Sequence, residues 1–455
     1  MKHIYTKAAV AAVLALSVTT AVAKVPESEL ARLDKDLTPM GSERAGNAAG
    51  TIPEWTGGLT EAPAGYTEGG HLVDPFPGDQ PLFSITADNV DQYAENLSPG
   101  QVALFKKYPD TYKMNVYQTR RTAALPEDVY VKVRENGATA ELVNDGNGVV
   151  NFAVAHAFPI PQNVYEVFWN HLTRYRGGVA QRTSVHVPVQ ANGAFVPVQI
   201  TDTMTWPDFL QEGKDPVKDR NVLLYFTYAI HSPPQLTGTV LLVHETVDQV
   251  TDGRRAWLYN AGQRRVRRAP QVAYDGPGQG ADGTRVADEF DMINGSPDRF
   301  DWKLVGKKEL YIPYNSYRLH SPDLSLKDIH PKGHMNPDYA RYELHRVWQV
   351  EATLKEGSRH IYAKRVYFLD EDTWQVAVKD QYDGKGNLWR IGQAHEIQYY
   401  NVNVPWLTTE TVMDLNDGRY ITMGLTNSEK APVLFGKKMS RKDYTTGALR
   451  RLGKR

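Results

Sequence analysis

The chain has 455 residues, with 52 basic against 53 acidic side chains and no cysteine. Balanced charge gives no general attraction to nucleic acid, and the absence of cysteine excludes disulfide bracing and the lipid-bearing cysteine of a lipoprotein. With 25 Tyr, 9 Trp, 36 Gly and 27 Pro, the composition fits a β-rich, loop-rich exported protein whose stability must come from its core.

The first residues read as a secretory signal. Lys2, His3 and Lys7 form a basic start, residues 8–18 an apolar run, and Ala21-Val22-Ala23 an A-x-A cleavage site. The expected mature chain is residues 24–455, released into the periplasm after cleavage at Ala23. The apolar run is too short for a membrane span, and no later stretch reaches about 18 apolar residues.

Leu30, Leu33 and Leu37 recur at helical spacing, so residues 24–37 are expected to be helical. Residues 38–79 are rich in Gly and Pro and should be irregular, packed down by Trp55 and Tyr66. Helices are expected over 86–96, 98–107, 126–136 and 162–175, and a strand over 114–122. From Gly178 the apolar period changes to two. Strands are expected at 179–188, 194–206, 221–231, 238–248, 254–261 and 264–268. Residues 221–231 are apolar on both alternations, which suits a strand covered on both faces. A Gly-rich loop at 275–283, a short helix at 286–293, a strand at 302–312 and a His/Pro-rich loop at 320–338 come next.

Residues 341–400 hold four period-2 segments separated by polar turns, the pattern of antiparallel hairpins. A strand near 419–426 and a basic tail close the chain. The expected fold is mainly β (α+β): one large curved antiparallel sheet over 178–426, with a helical and irregular part over 24–177. No fixed-period repeat or linker divides it.

Two faces of the meander are apolar except for one arginine each, Arg346 and Arg365. A buried guanidinium needs a partner. Either an anionic head group in a greasy cavity or an internal carboxylate, with Asp380 and Glu396 as candidates, satisfies that need. Trp257, Tyr259, Trp348, Tyr367 and Trp374 are candidate walls of such a cavity, and equally candidate core. Arg254, Arg255, Arg264, Arg265, Arg267 and Arg268 crowd around a turn at 260–263. Of these, Arg264, Arg265, Arg267 and Arg268 are the candidate docking edge for an acidic partner or lipid phosphates. The alternative is a solvated edge blunted by charge.

His320, His330, His334 and His345 are close in sequence, but no His-Glu-x-x-His occurs, and no metal site or cofactor is expected. Neither a G-x-S-x-G elbow nor a Walker A sequence is present. Asp370-Glu371-Asp372 reads as a turn with solvated charges, and Asp288, Glu289 and Asp291 as helix-surface carboxylates. No catalytic residues are expected.

Long segments resemble a known family. They are Glu43-Arg44-Ala-Gly-Asn47 through Trp55-Thr-Gly-Gly58, the arginine-rich Trp257/Tyr259 hairpin, Asp288-Glu-Phe-Asp-Met292, Asn336-Pro-Asp-Tyr through Trp348, His360-Ile-Tyr-Ala-Lys-Arg365 and Asp380-Gln-Tyr-Asp-Gly384. Together they resemble a family of uncharacterised exported proteobacterial proteins described as outer-membrane lipoprotein-sorting-like. The resemblance implies an open half-barrel of the LolA/LolB kind, with helices packed on its concave face and acyl chains held between sheet and helices. It also implies an envelope setting beside a resistance-nodulation-type exporter and an outer-membrane protein. The expected role is a non-enzymatic periplasmic carrier or chaperone for a lipid, lipoprotein or other hydrophobic molecule. The rival readings are an adaptor bridging exporter and outer-membrane protein without a ligand, and an envelope hydrolase.

Overall fold

The computed structural model describes residues 25–430 and 433–453. The secretory signal and the cleavage point after Ala23 lie outside the described residues. In chain order the strands are β1 (Phe83–Ile85), β2 (Met114–Val116), β3 (Glu141–Val143), β4 (Gly148–Val150), β5 (Val179–Val189), β6 (Val198–Thr205), β7 (Val222–Ser232), β8 (Val240–Thr246) and β9 (Arg255–Asn260). They continue with β10 (Arg265–Arg268), β11 (Phe300–Pro313), β12 (Tyr342–Leu354), β13 (Lys364–Asp370), β14 (Val376–Tyr382), β15 (Leu388–Tyr399), β16 (Val404–Asp414), β17 (Tyr420–Leu425) and β18 (Val433–Phe435). The α-helices are α1 (Glu27–Leu30), α2 (Pro99–Lys107), α3 (Glu127–Thr139), α4 (Val164–Thr173), α5 (Tyr317–His320), α6 (Leu326–Ile329) and α7 (Thr446–Leu452).

Sixteen strands form one open sheet in the order β1-β2-β12-β13-β14-β15-β16-β17-β5-β6-β7-β8-β9-β10, with β11 on β12 and β18 on β5. Every pairing is antiparallel except a single parallel bridge between Tyr342 and Val116. Strands β3 and β4 make a separate hairpin. The fold is therefore mainly β with one large sheet, as the period-2 pattern requires.

Alternation sends each strand's side chains to two faces, and both are covered. On one, here the inner face, Tyr367, Leu369, Val376 and Ala394 pack against Val167, Phe168 and Leu172 of α4. On the outer face Val366, Phe368, Val378 and Ile391 meet Leu104 and Phe105 of α2. Further along that face α7 and Tyr444 cover Val240, Leu242 and Tyr259. The helices begin where the sequence signals them. Ser98 and Gln101 form a capping box on α2, and the Asn163 side chain accepts from the Tyr165 and Glu166 amides at α4.

Several elements differ from their sequence pattern. Helix α1 stops at Leu30, and Asp34, at φ 65°, turns the chain out of helical geometry before Leu37. The three leucines are still buried together, because spacing by three or four suits a tight turn as well as a helix. The first short helix is a 3-10 turn, Val90–Asn96. The strand expected over 114–122 is paired only at Met114–Val116. Strand β16, buried along its whole length, has no counterpart among the expected strands. It carries apolar and polar side chains on both faces, so its burial leaves no alternation to read.

Candidate functional site

The expected helix over 286–293 is instead a kinked 3-10 segment, Ala287–Met292, with Phe290 extended and Asp291 left-handed. It crosses the inner face, and its carboxylates point down into it. Asp288 accepts from Arg365 at 3.0 Å, Glu289 from the Lys379 ammonium at 3.0 Å, and Asp291 from Arg174 at 2.7 Å and from Arg176. All three are buried, which corrects their reading as helix-surface groups. Burial opposes the Asp288 carboxylate, but Arg365 and His360 outweigh it and lower its pKa to about 2.

Beside this plug, the inner face of β7 and β8 is not filled. A cavity of about 60 Å³ lies between Leu224, Phe226, Leu241 and Val243 on the sheet and Val272 and Phe290 above it. Its cover is the Gly-rich segment expected as a loop. On the far side of the cover is a surface groove of about 600 Å³, lined by Phe195, Val196, Val198, Pro233 and Leu236. Pro277 and Gly278 border both spaces, so a single thickness of chain separates them. Glycine is required in this wall. A Cβ on Gly276 would stand 1.8 Å from the Gln271 carbonyl oxygen, and one on Gly278 would stand 2.9 Å from that of Arg285.

Charged side chains also line the cavity. Arg254 is held by Glu245 at 2.9 Å. Arg285 lines the cavity and also a smaller void of about 10 Å³ with His186, Asp291 and Glu410. Burial pushes the Glu410 carboxyl up, with Arg285 acting against that rise.

The residues singled out from the sequence fall into three places. Arg346 meets Glu371 at 2.6 Å, and Arg365 meets Asp288. Both are internal ion pairs, with partners other than Asp380 and Glu396. Asp380 accepts from Ser98 Oγ at 2.9 Å and the Gly100 amide at 3.0 Å. Trp348 and Trp374 stack at 6.2 Å, and Tyr367 stacks on Trp302 at 6.0 Å. Tyr367 and Trp302 border a void of only about 10 Å³. Trp257 and Tyr259 sit on the outer face under α7, away from the cavity. Arg264, Arg265, Arg267 and Arg268 are exposed on and beside β10, the edge strand, and Arg268 lies over Trp257 at 5.1 Å.

The turn Asp370-Glu371-Asp372 is not solvated. All three side chains are buried, and Arg121 reaches Asp372 at 2.6 Å while Lys307 reaches Glu371 at 2.9 Å. His345, Asp370 and Asp372 bring ligand atoms within 4.8 Å of one another. Burial disfavours a charged His345, yet hydrogen bonds and charge from Asp370 and Glu343 override it and raise the imidazole to about 10. Arg121, Lys307 and Arg346 supply positive charge beside these carboxylates. The other three histidines are apart: His320 bonds Thr408, His330 bonds Thr422 and His334 bonds Thr111.

Sequence reasoning missed Arg285 and the cavity residues of β7 and β8. The alternation marked those strands, but nothing local marks which face stays partly uncovered.

An open 16-stranded sheet, plugged on its inner face and retaining a covered, mainly apolar cavity there, defines a β-rich scaffold. The chain belongs to the family described as "Protein of unknown function (DUF1329)", whose model matches residues 84–450. It is 54% identical over 445 residues to the uncharacterised protein PA3922 of Pseudomonas aeruginosa, covering 97% of this chain and 98% of that one. Among solved structures it resembles a protein described as an outer membrane lipoprotein-sorting domain from Vibrio parahaemolyticus, at 14% identity and TM-score 0.41 over 61% of this chain and 93% of that one. A DUF1329 family protein from Desulfovibrio piger matches at 15% identity and TM-score 0.41, over 60% and 92%. A LolA superfamily protein from Nitrosomonas europaea matches at 10% identity and TM-score 0.38, over 63% and 100%.

Proposed function

We propose that this protein is a periplasmic carrier that holds a lipid or other hydrophobic molecule between β7, β8 and the glycine-rich cover. One observation carries the reading: an apolar cavity and an apolar surface groove share a wall one chain thick. The cavity is far below the roughly 300 Å³ of an ordinary ligand pocket. In this reading the cover is closed over the cavity, and loading displaces it so that the two spaces join. Binding would rest on apolar burial, at about 25 cal/mol per Å² before association costs. The role is non-catalytic.

The test is native mass spectrometry of protein gently purified from its own periplasm, together with titration of a fluorescent fatty acid into delipidated protein. A co-purifying hydrophobic mass and saturable binding are expected. No bound mass and no binding would end the carrier reading.

A second observation favours an added docking role. The four arginines at β10 make no ion pair among the described residues, and they stand at an open sheet edge. In this reading the edge receives an acidic surface of an exporter or outer-membrane partner while the cavity holds the cargo.

A further inference from the structure

Nine arginines are buried among the described residues: Arg121, Arg174, Arg176, Arg182, Arg285, Arg341, Arg346, Arg365 and Arg390. Eight of them form an ion pair with a carboxylate. Arg285 does not. It is 5% exposed, its Nε has no hydrogen-bond partner, and among the described residues the guanidinium's one ring contact is with Phe290 at 6.0 Å. A buried cation with no directly bonded carboxylate is costly, and each of the other buried arginines has one.

The surroundings explain why no carboxylate bonds it directly. Asp291, in the neighbouring void, is already shared by Arg174 and Arg176. Glu410 accepts the Met292 amide at 2.9 Å and shares the small void with Arg285, whose charge opposes the rise that burial imposes on its carboxyl, but the two make no direct ion pair. Arg176 and Arg254, at the same cavity, are each taken by their own carboxylate. Tyr228, another cavity residue, has its hydroxyl 3.3 Å from His186 Nδ1 and 3.4 Å from the Gln279 carbonyl oxygen. A guanidinium thus faces a space of about 60 Å³, room for one carboxylate or about two waters.

We propose that Arg285 is the anchor for an anionic head group, so that the cargo is an amphipathic anion with its charge on Arg285 and its apolar chain along Leu241, Val243 and Phe226. This rests on the carrier reading and narrows it. A carboxylate and a phosphate ester are both matched by a guanidinium fork. They are the two sources of the same chemistry.

The experiment uses delipidated full-length mature protein and three probes: a long-chain fatty acid, its methyl ester, and a lysophosphatidylglycerol. Binding of the acid or the lysophospholipid at least tenfold tighter than the ester is expected, and whichever is tighter names the source. Arg285→Gln should lose that preference while still binding the ester, and Arg285→Lys should keep part of it. Equal binding of charged and neutral probes by the unaltered protein would overturn the anion assignment and leave the carrier reading standing. Binding of none of the three would overturn both. A readout independent of ligand comes from melting. Because a buried charge with no directly bonded carboxylate destabilises the delipidated protein, Arg285→Met should melt higher than the parent in that form. A lower melting temperature would mean that Arg285 already has an internal partner, with Glu410 in the shared void the candidate, and would overturn the assignment.

Discussion

Arg365 on β13 donates to Asp288 of the plug at 3.0 Å, across 77 residues of sequence, and the guanidinium lies 4.2 Å from the Phe300 ring centroid. This contact and the Glu289–Lys379 pair at 3.0 Å hold an irregular segment flat on a sheet that would otherwise be open there. The plug is therefore fixed by charge as much as by apolar packing. Removing one partner strands the other in a dry interior. Arg365→Met or Asp288→Asn is expected to cost about 3–5 kcal/mol, read by thermal or urea melting. The combined Arg365→Met, Asp288→Leu variant should recover part of that loss. Single variants that melt like the parent would show that the plug is not held this way.

The buried histidines contribute to the acid limb of stability. Burial lowers His156 and His330 to about 4, and His171, His320 and His395 to about 3. Each is a base depressed below its unfolded value of about 6.5. Between those values the unfolded chain takes up protons that the folded chain refuses. Their contribution to stability is full above pH 6.5 and falls as pH drops toward 4, by about 1.4 kcal/mol per pH unit for each such group, while buried carboxyls raised by burial, Asp380 to about 6 among them, act in the opposite sense. Neither His395 nitrogen has a hydrogen-bond partner. His395→Leu should therefore make the acid slope shallower and leave stability at pH 7.5 nearly unchanged. An acid slope in His395→Leu equal to the parent's between pH 7.5 and 5 would contradict this.

His345 behaves in the opposite sense. Its pKa is raised to about 10 by Asp370 and Glu343 against the effect of burial. Its contribution is complete below pH 6.5 and is lost as pH rises through 10. Replacing it by Gln should destabilise the protein at pH 7 and have little effect above pH 10, as measured by chemical denaturation at both values.

Filling the cavity separates binding from folding. Leu241 faces the cavity from β8 and is 5% exposed. Leu241→Phe adds roughly one ring's excess volume to a space that has room for it, so the melting temperature should change little. Affinity for charged and neutral hydrophobic probes alike should fall at least tenfold in a fluorescence titration. Unchanged affinity would place the cargo elsewhere.

The β10 arginines offer a surface test. Arg265 and Arg267 are exposed and carry no ion pair among the described residues. The Arg265→Glu, Arg267→Glu double variant should fold with a stability change within about 0.5 kcal/mol. Crosslinking in cells should then lose any envelope protein captured at that edge by the parent. Capture that persists in the variant would exclude this edge as the docking surface.

The hairpin meander, strands β5 to β10 and helices α2 and α4 were legible because their signals are local. A period of two, a polar turn or a capping residue needs no knowledge of the rest of the chain. The same alternation placed Arg346 and Arg365 on apolar faces, so that a buried partner for each was required. Which carboxylates answered them was not legible. Glu371 and Asp288 come from a turn and a kinked segment whose acidic residues, read alone, look like ordinary solvated charge.

From its amino acids alone, this chain settled that it makes a large β-sheet with an aromatic-rich core and no covalent braces. Where that sheet stays partly uncovered depended on the path of residues 272–294 over β7 and β8, and so did the isolation of Arg285. Periodicity assigns a side chain to a face. The volume left above that face, and the charges left unmatched beneath the cover, arise only when segments distant in sequence pack together.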